Sequence, residues 1–134
     1  QNKMSHTQLK NAAGNFVQPS AESFAAAGNA DWKGTPGFNI VLTNQADPNA
    51  WPISAATFIL VHTKPTNPEN VKNTLKFFDW AYSSGDELAK SLDFVPFSAE
   101  SKAIFREEWK KVVGADGKPL FSSDAATATA SAAK

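Results

Sequence analysis

Two histidines, a single arginine and a scatter of carboxylates are the residues of this 134-residue chain that could carry acid–base, metal or anion chemistry. His6 and His62 lie far apart, and neither has an acidic cluster at metal-ligand spacing beside it. A zinc site or a Ser/His/Asp triad needs such partners within reach, so neither is supported, and His62 is expected to end a buried strand. Asp47 and Asp79 could be imagined as a carboxylate pair, yet nothing in the sequence brings them together, and Asp79 falls on the expected solvent side of a helix. Arg106 sits between Phe105 and Glu107. An anion clamp needs hydroxyls or helix-start amides converging on the guanidinium; with none nearby, Arg106 is expected to join a surface pair with charges one turn away. Gly34-Thr35-Pro36-Gly37 and Gly114-Ala115-Asp116-Gly117 lack the strand-to-helix context and Lys-Ser/Thr ending of a phosphate loop, and read as turns. The chain has no cysteine, which removes disulfides, thiolate nucleophiles and cysteine metal ligands. No catalytic residue, metal or cofactor is predicted.

Composition narrows the class. Apolar residues make up 42% and charged residues 19%, as in ordinary globular proteins rather than disordered ones. No apolar run approaches the roughly 20 residues that span a bilayer. Thirteen basic and thirteen acidic residues give zero formal net charge, so no basic field exists to hold nucleic acid. The opening Gln1-Asn2-Lys3-Met4-Ser5-His6 has no apolar signal core, so the chain is expected to follow a removed leader or to begin in mid-protein.

The elements that must position these residues are helices and short strands. Residues 5–17 alternate weakly around Gly14-Asn15, which suits a short strand and a hairpin-like turn. Ser20 can cap a helix through the alanine-rich run that Gly28 can end. Phe38, Ile40 and Leu42 alternate with Asn39 and Thr43, the period-2 pattern of a strand with one buried face. Asp47-Pro48 and Trp51-Pro52 then break the chain. Phe58, Ile59, Leu60 and Val61 form a continuous apolar run, expected as a strand covered on both faces. Val71, Leu75, Phe78 and Tyr82 fall at helical spacing after Asn67-Pro68, with Gly85 past the end. A short helix is expected over 86–92, and another after the Ser98 cap, running to about Val113 with Phe105, Trp109 and Val112 on one face. This layering predicts the α/β class. Residues 122–134 contain only Ala, Ser and Thr with one Asp and one Lys, and are expected to form a disordered tail.

The aromatic set of ten Phe, four Trp and one Tyr could suggest a sugar platform. Phe58, Phe78, Trp80, Phe105 and Trp109 occupy strand or helix positions, however, where core packing is the expected role. Trp32 and Trp51 fall in loops, as exposed stackers or as anchors of those loops on the core.

Several longer phrases occur in order: Phe16-Val17-Gln18-Pro19, Glu22-Ser23-Phe24-Ala25-Ala26-Ala27, Ala30-Asp31-Trp32, the run from Ala50-Trp51-Pro52 to Leu60-Val61-His62, Leu75-Lys76-Phe77-Phe78-Asp79-Trp80-Ala81-Tyr82, Leu92-Asp93-Phe94-Val95-Pro96 and Gly117-Lys118-Pro119-Leu120-Phe121. Together they resemble the periplasmic phosphate-binding proteins of Pst-type phosphate ABC transporters, across roughly residues 1–121. The resemblance is to the C-terminal portion only and implies part of a two-lobed periplasmic binding protein type II fold. It implies that residues 1–46 finish the second lobe, that 47–56 form a hinge crossing with Asp47, Trp51, Pro52 and Ser54, and that 57–121 complete the first lobe. The implied activity is non-enzymatic, extracytoplasmic or periplasmic binding of inorganic phosphate for delivery to an ABC permease. The family's glycine-rich phosphate-ligating segments have no counterpart here, so no phosphate ligand is assigned to any residue, and the missing N-terminal part of the same protein is an implied partner. The alternative is a truncated structural or cell-surface interaction module without ligand binding.

Overall fold

A computed structural model of the chain describes residues 5–122. Its order is β1 (Leu9–Lys10), β2 (Phe16–Val17), α1 (Ala21–Gly28), a 3-10 turn (Pro36–Phe38), α2 (Pro68–Ser84), α3 (Asp86–Ser91) and α4 (Ala99–Trp109). This is a small mixed α/β chain with few strands. The tail expected over 122–134 lies outside the described residues except for exposed Ser122.

Local signals become elements where neighbours in sequence suffice to build them. β1 and β2 form an antiparallel hairpin in the register Leu9 with Val17 and Lys10 with Phe16. Gly14 turns it at φ 88°, a value that favours a residue without a Cβ. Ser20 caps α1 reciprocally: its hydroxyl accepts from the Ser23 amide, and the Ser23 hydroxyl accepts from the Ser20 amide. Asn67 accepts from the Asn70 amide to start α2, Pro68 occupies the first turn, and Gly85 separates α2 from α3. Ser98 caps α4 through the Ser101 amide. That helix stops at Trp109 rather than near Val113, because Val112 and Val113 leave it to meet the closing turn: Leu120 donates to the Val112 carbonyl, and Val113 donates to the Thr63 carbonyl.

Two apolar clusters hold these elements. In the first, Trp32, only 2% exposed, packs with Leu42 and Phe105, and Phe38, Phe97 and Tyr82 close around them. Trp32 meets Phe38, Phe97 and Phe105 edge to face at centroid distances of 6.1, 5.5 and 5.1 Å. Such pairs add about 0.5–1.5 kcal/mol each beyond the area they bury. The second cluster joins Leu75 of α2 to Val112 and Phe121, with Trp109 edge-on to Phe121.

Two expected strands are absent among the described residues. Over 38–43 the predicted alternation of burial is present, with Phe38, Ile40 and Leu42 turned inward and Asn39, Val41 and Thr43 outward. The backbone there is a 3-10 turn followed by irregular chain, with Phe38 at φ 55° and the Ile40 amide donating to the Phe38 carbonyl. The apolar side of the segment is satisfied by Trp32 and α4, without a strand partner. Residues 58–61 also form no strand, and three of the four are open rather than covered: Phe58, Ile59 and Leu60 are 50%, 59% and 94% exposed, while Val61 packs against the second cluster. A fully buried strand needs partners on both edges and layers on both faces, and no described segment supplies them.

Candidate functional site

The hinge residues expected from the sequence fall in a tightly fastened crossing. Asp47 accepts from the Asn49 amide, and its carbonyl accepts from Ala50. The Trp51 amide donates to the Ser23 carbonyl of α1 at 2.9 Å, and the Trp51 ring meets Phe24 edge-on at 6.2 Å. The Pro52 carbonyl accepts from the Asn44 amide, and the Ser54 hydroxyl donates to the Trp51 carbonyl at 3.0 Å. Asp47, Trp51, Pro52 and Ser54 thus lie on one connected turn, each tied by hydrogen bonds that reach within or just beyond it.

Sequence reasoning passed over the residue that anchors this turn. Asn11, buried in the hairpin, donates from Nδ2 to the carbonyls of Pro48 at 2.8 Å and Ala50 at 3.2 Å. Its Oδ1 accepts from the Asn15 amide, and Asn15 Nδ2 also donates to the Pro48 carbonyl. Asn11 therefore satisfies two carbonyls that a proline-broken segment cannot pair with a regular ladder. Its only signal was an asparagine just before the Gly14-Asn15 turn, and its partners lie more than thirty residues away.

Beside the crossing is a cavity of about 380 Å³ that includes Ser54, Thr57, Ser98 and Asp93 among apolar neighbours. Among the described residues no Lys, Arg or His lines it. The Ser54 hydroxyl already donates to a carbonyl, and Ser98 serves the α4 cap. Among the described residues the lining thus supplies no cation to balance a phosphate.

The remaining candidates resolve differently from expectation. Arg106 does not pair along its own helix. Nε bonds Asp79 at 2.6 Å and Nη2 reaches the Ser83 hydroxyl at 2.9 Å, joining α4 to α2, while the guanidinium lies 5.7 Å from the Tyr82 ring centre. Asp79 is correspondingly half-buried rather than solvated. Burial pushes the Tyr82 phenol above its ordinary range, with Arg106 opposing the shift. Lys102, also buried, bonds Asp86 at 2.5 and 2.7 Å and the Tyr82 carbonyl at 3.1 Å, fastening α4 to the α2–α3 junction. These pairs tie α4 to α2 and to the α2–α3 junction. His6 and His62 are both exposed, and the buried strand that His62 was expected to end is not formed. Trp32 is the centre of the core rather than a stacker, whereas Trp80, expected in the core, is 54% exposed. Among the described residues no group of three or more His, Asp or Glu is placed to hold a metal.

No family model matches the chain. Curated relatives do. It is 47% identical over 111 residues to the phosphate-binding protein PstS of Haemophilus influenzae, covering 82% of this chain and 33% of that protein. The Pasteurella multocida phosphate-binding protein PstS is 45% identical over 123 residues, covering 90% and 36% respectively, and that of Xylella fastidiosa strain 9a5c is 52% identical over 97 residues, covering 72% and 27%. The chain spans about a third of the length of these relatives. Similarity this high over most of its residues makes the chain a PstS-like sequence, a segment of the phosphate-binding protein family.

Proposed function

We propose that this chain is the C-terminal portion of the substrate-binding component of a phosphate ABC importer. The carrying observation is its 45–52% identity to phosphate-binding proteins over 72–90% of its residues. In this reading it is non-enzymatic and works outside the cytoplasm or in the periplasm. Inorganic phosphate, an ABC permease and the missing N-terminal part of the same protein are its partners. The phosphate ligands come from that other part, in keeping with the lack of a basic side chain among the described residues that line the cavity beside residues 47–56.

Residues 1–46 then finish the second lobe of a type II binding protein, 47–56 form one hinge strand, and 57–121 return to the first lobe. Asp47, Trp51, Pro52 and Ser54 are the hinge positions. Hinge closure concentrates φ/ψ change in a few connecting residues while packed parts move as bodies. Trp51 and Ser54 are suited to limit that change, since their bonds tie the crossing to α1 and to itself. The contacts of Trp32 and Leu42 with Phe105 link the two sides of the crossing, so lobe movement must remake them.

The test is a chimera in which this chain replaces the matched residues of the Haemophilus influenzae relative. Expressed in a bacterium deprived of its own phosphate-binding protein, it restores phosphate uptake under phosphate limitation. A chimera that is exported, folded and binds phosphate, yet supports no uptake, overturns the importer role.

A further inference from the structure

Asn11 directs every polar group it has to one junction. Its main-chain N–H donates to the Asn15 carbonyl, its carbonyl accepts from the Gly14 amide, and its Oδ1 accepts from the Asn15 amide, so the residue is fixed in the hairpin. The Nδ2 group carries two N–H donors and faces two carbonyls, those of Pro48 and Ala50, which are 37 and 39 residues away in sequence. Asn11 is 5% exposed and Ala50 has no exposed surface, so water does not compete for these bonds. The same turn is held at three further points: Asn15 Nδ2 donates to the Pro48 carbonyl, the Trp51 amide to the Ser23 carbonyl and the Asn44 amide to the Pro52 carbonyl. Every one of these partners precedes residue 47.

We propose, on the hinge reading of residues 47–56, that Asn11 is the positioning residue that makes the turn through Pro52 part of the body formed by residues 1–46, so that lobe closure on phosphate bends the chain at residues 53–56. A hinge concentrates its φ/ψ change in residues that neither packed body holds. Turning the backbone at Pro48, Ala50, Trp51 or Pro52 would pull a main-chain group away from its partner in β1–β2, α1 or Asn44, and leave it unpaired. Beyond Pro52, the bond from the Ser54 hydroxyl to the Trp51 carbonyl is made by a side chain that can re-aim as its backbone turns. Asp47, Trp51 and Pro52 are then the fixed end of the hinge, and Ser54 lies in the part that bends. Without the Asn11 amide the fixed end has several geometries, of which only some allow closure, and phosphate affinity falls in proportion to the competent fraction.

The test uses this chain joined to the unmatched part of the Haemophilus influenzae relative, with any cysteine of the added part changed to serine. The chain has no cysteine of its own, so spin labels attach only where one is introduced. Glu22→Cys in α1, Asn49→Cys in the turn and Lys76→Cys in α2 are all at exposed positions. Phosphate changes the distance between labels at 22 and 76 and leaves the distance between 22 and 49 as it was. Asn11→Ala broadens the 22 to 49 distribution and raises the phosphate dissociation constant by about threefold or more. Arg106→Ala, which loosens α4 from α2 on the other side of the crossing, does neither. The parent measured with and without phosphate needs no variant at Asn11, and decides the matter even where Asn11→Ala does not fold. A 22 to 49 distance that shifts with phosphate, a folded Asn11→Ala protein with the parent distribution and affinity, or an equal loss of affinity in Arg106→Ala overturns the role of Asn11 and leaves the binding-protein reading in place. A joined protein that binds no phosphate, or binds it with the 22 to 76 distance unchanged, overturns the hinge reading and the role of Asn11 together.

Discussion

Arg106 and Asp79 show what a single side chain contributes here. Both were legible as charged helix residues, but their pairing was not, because it depends on how α4 crosses α2. The bond is only partly shielded, with side chains 23% and 35% exposed. A double-mutant cycle on Arg106→Ala and Asp79→Ala is expected to give a coupling of about 1–2 kcal/mol, above the usual surface pair and below a fully buried one. Tyr82 gives a pH signature. Its phenol ionises at about 10 in the unfolded chain and higher in the folded one, where burial disfavours the anion. Its contribution is therefore fully present below about pH 10 and is lost as pH rises through the folded value. Urea unfolding is expected to show this alkaline loss in the parent chain and to show less of it in Tyr82→Phe. Trp32 was ambiguous in sequence for a related reason: a loop tryptophan reveals its burial only once Phe38, Phe97 and Phe105 arrive from distant positions.

Helices were readable because their causes are local. Ser20, Asn67 and Ser98 each stand next to the turn they cap, and Gly14 and Gly117 stand where φ is 88° and 75°. Strands depend on partners elsewhere in the chain. The alternation over 38–43 correctly marked which side chains turn inward but not the 3-10 backbone that carries them, and the apolar run over 58–61 carried a strand's composition without a strand's neighbours. The crossing shows the same distance problem, since its anchor is Asn11. Asn11→Ala leaves the Pro48 and Ala50 carbonyls short of a donor and is expected to cost about 1–3 kcal/mol in urea unfolding, whereas Asn15→Ala, losing an exposed bond, costs under about 1 kcal/mol.

For the whole molecule, ordered phrases shared across the chain indicated the family better than any site did. The candidate chemistry of His62, Asp47, Asp79 and Arg106 resolves into exposed chain, a crossing turn and a helix-to-helix clasp. The positions that the resemblance marks as a hinge form a turn held by Asn11, Ser23 and Asn44. The central claim is that this chain belongs to a phosphate-binding protein but does not itself hold the phosphate. Isothermal calorimetry with inorganic phosphate measures it directly, on the 134-residue chain alone and on the chain joined to the unmatched part of the Haemophilus influenzae relative. The account predicts no saturable heat from the chain alone and tight one-to-one binding by the joined protein; tight binding by the isolated chain, or none by a folded joined protein, would contradict it.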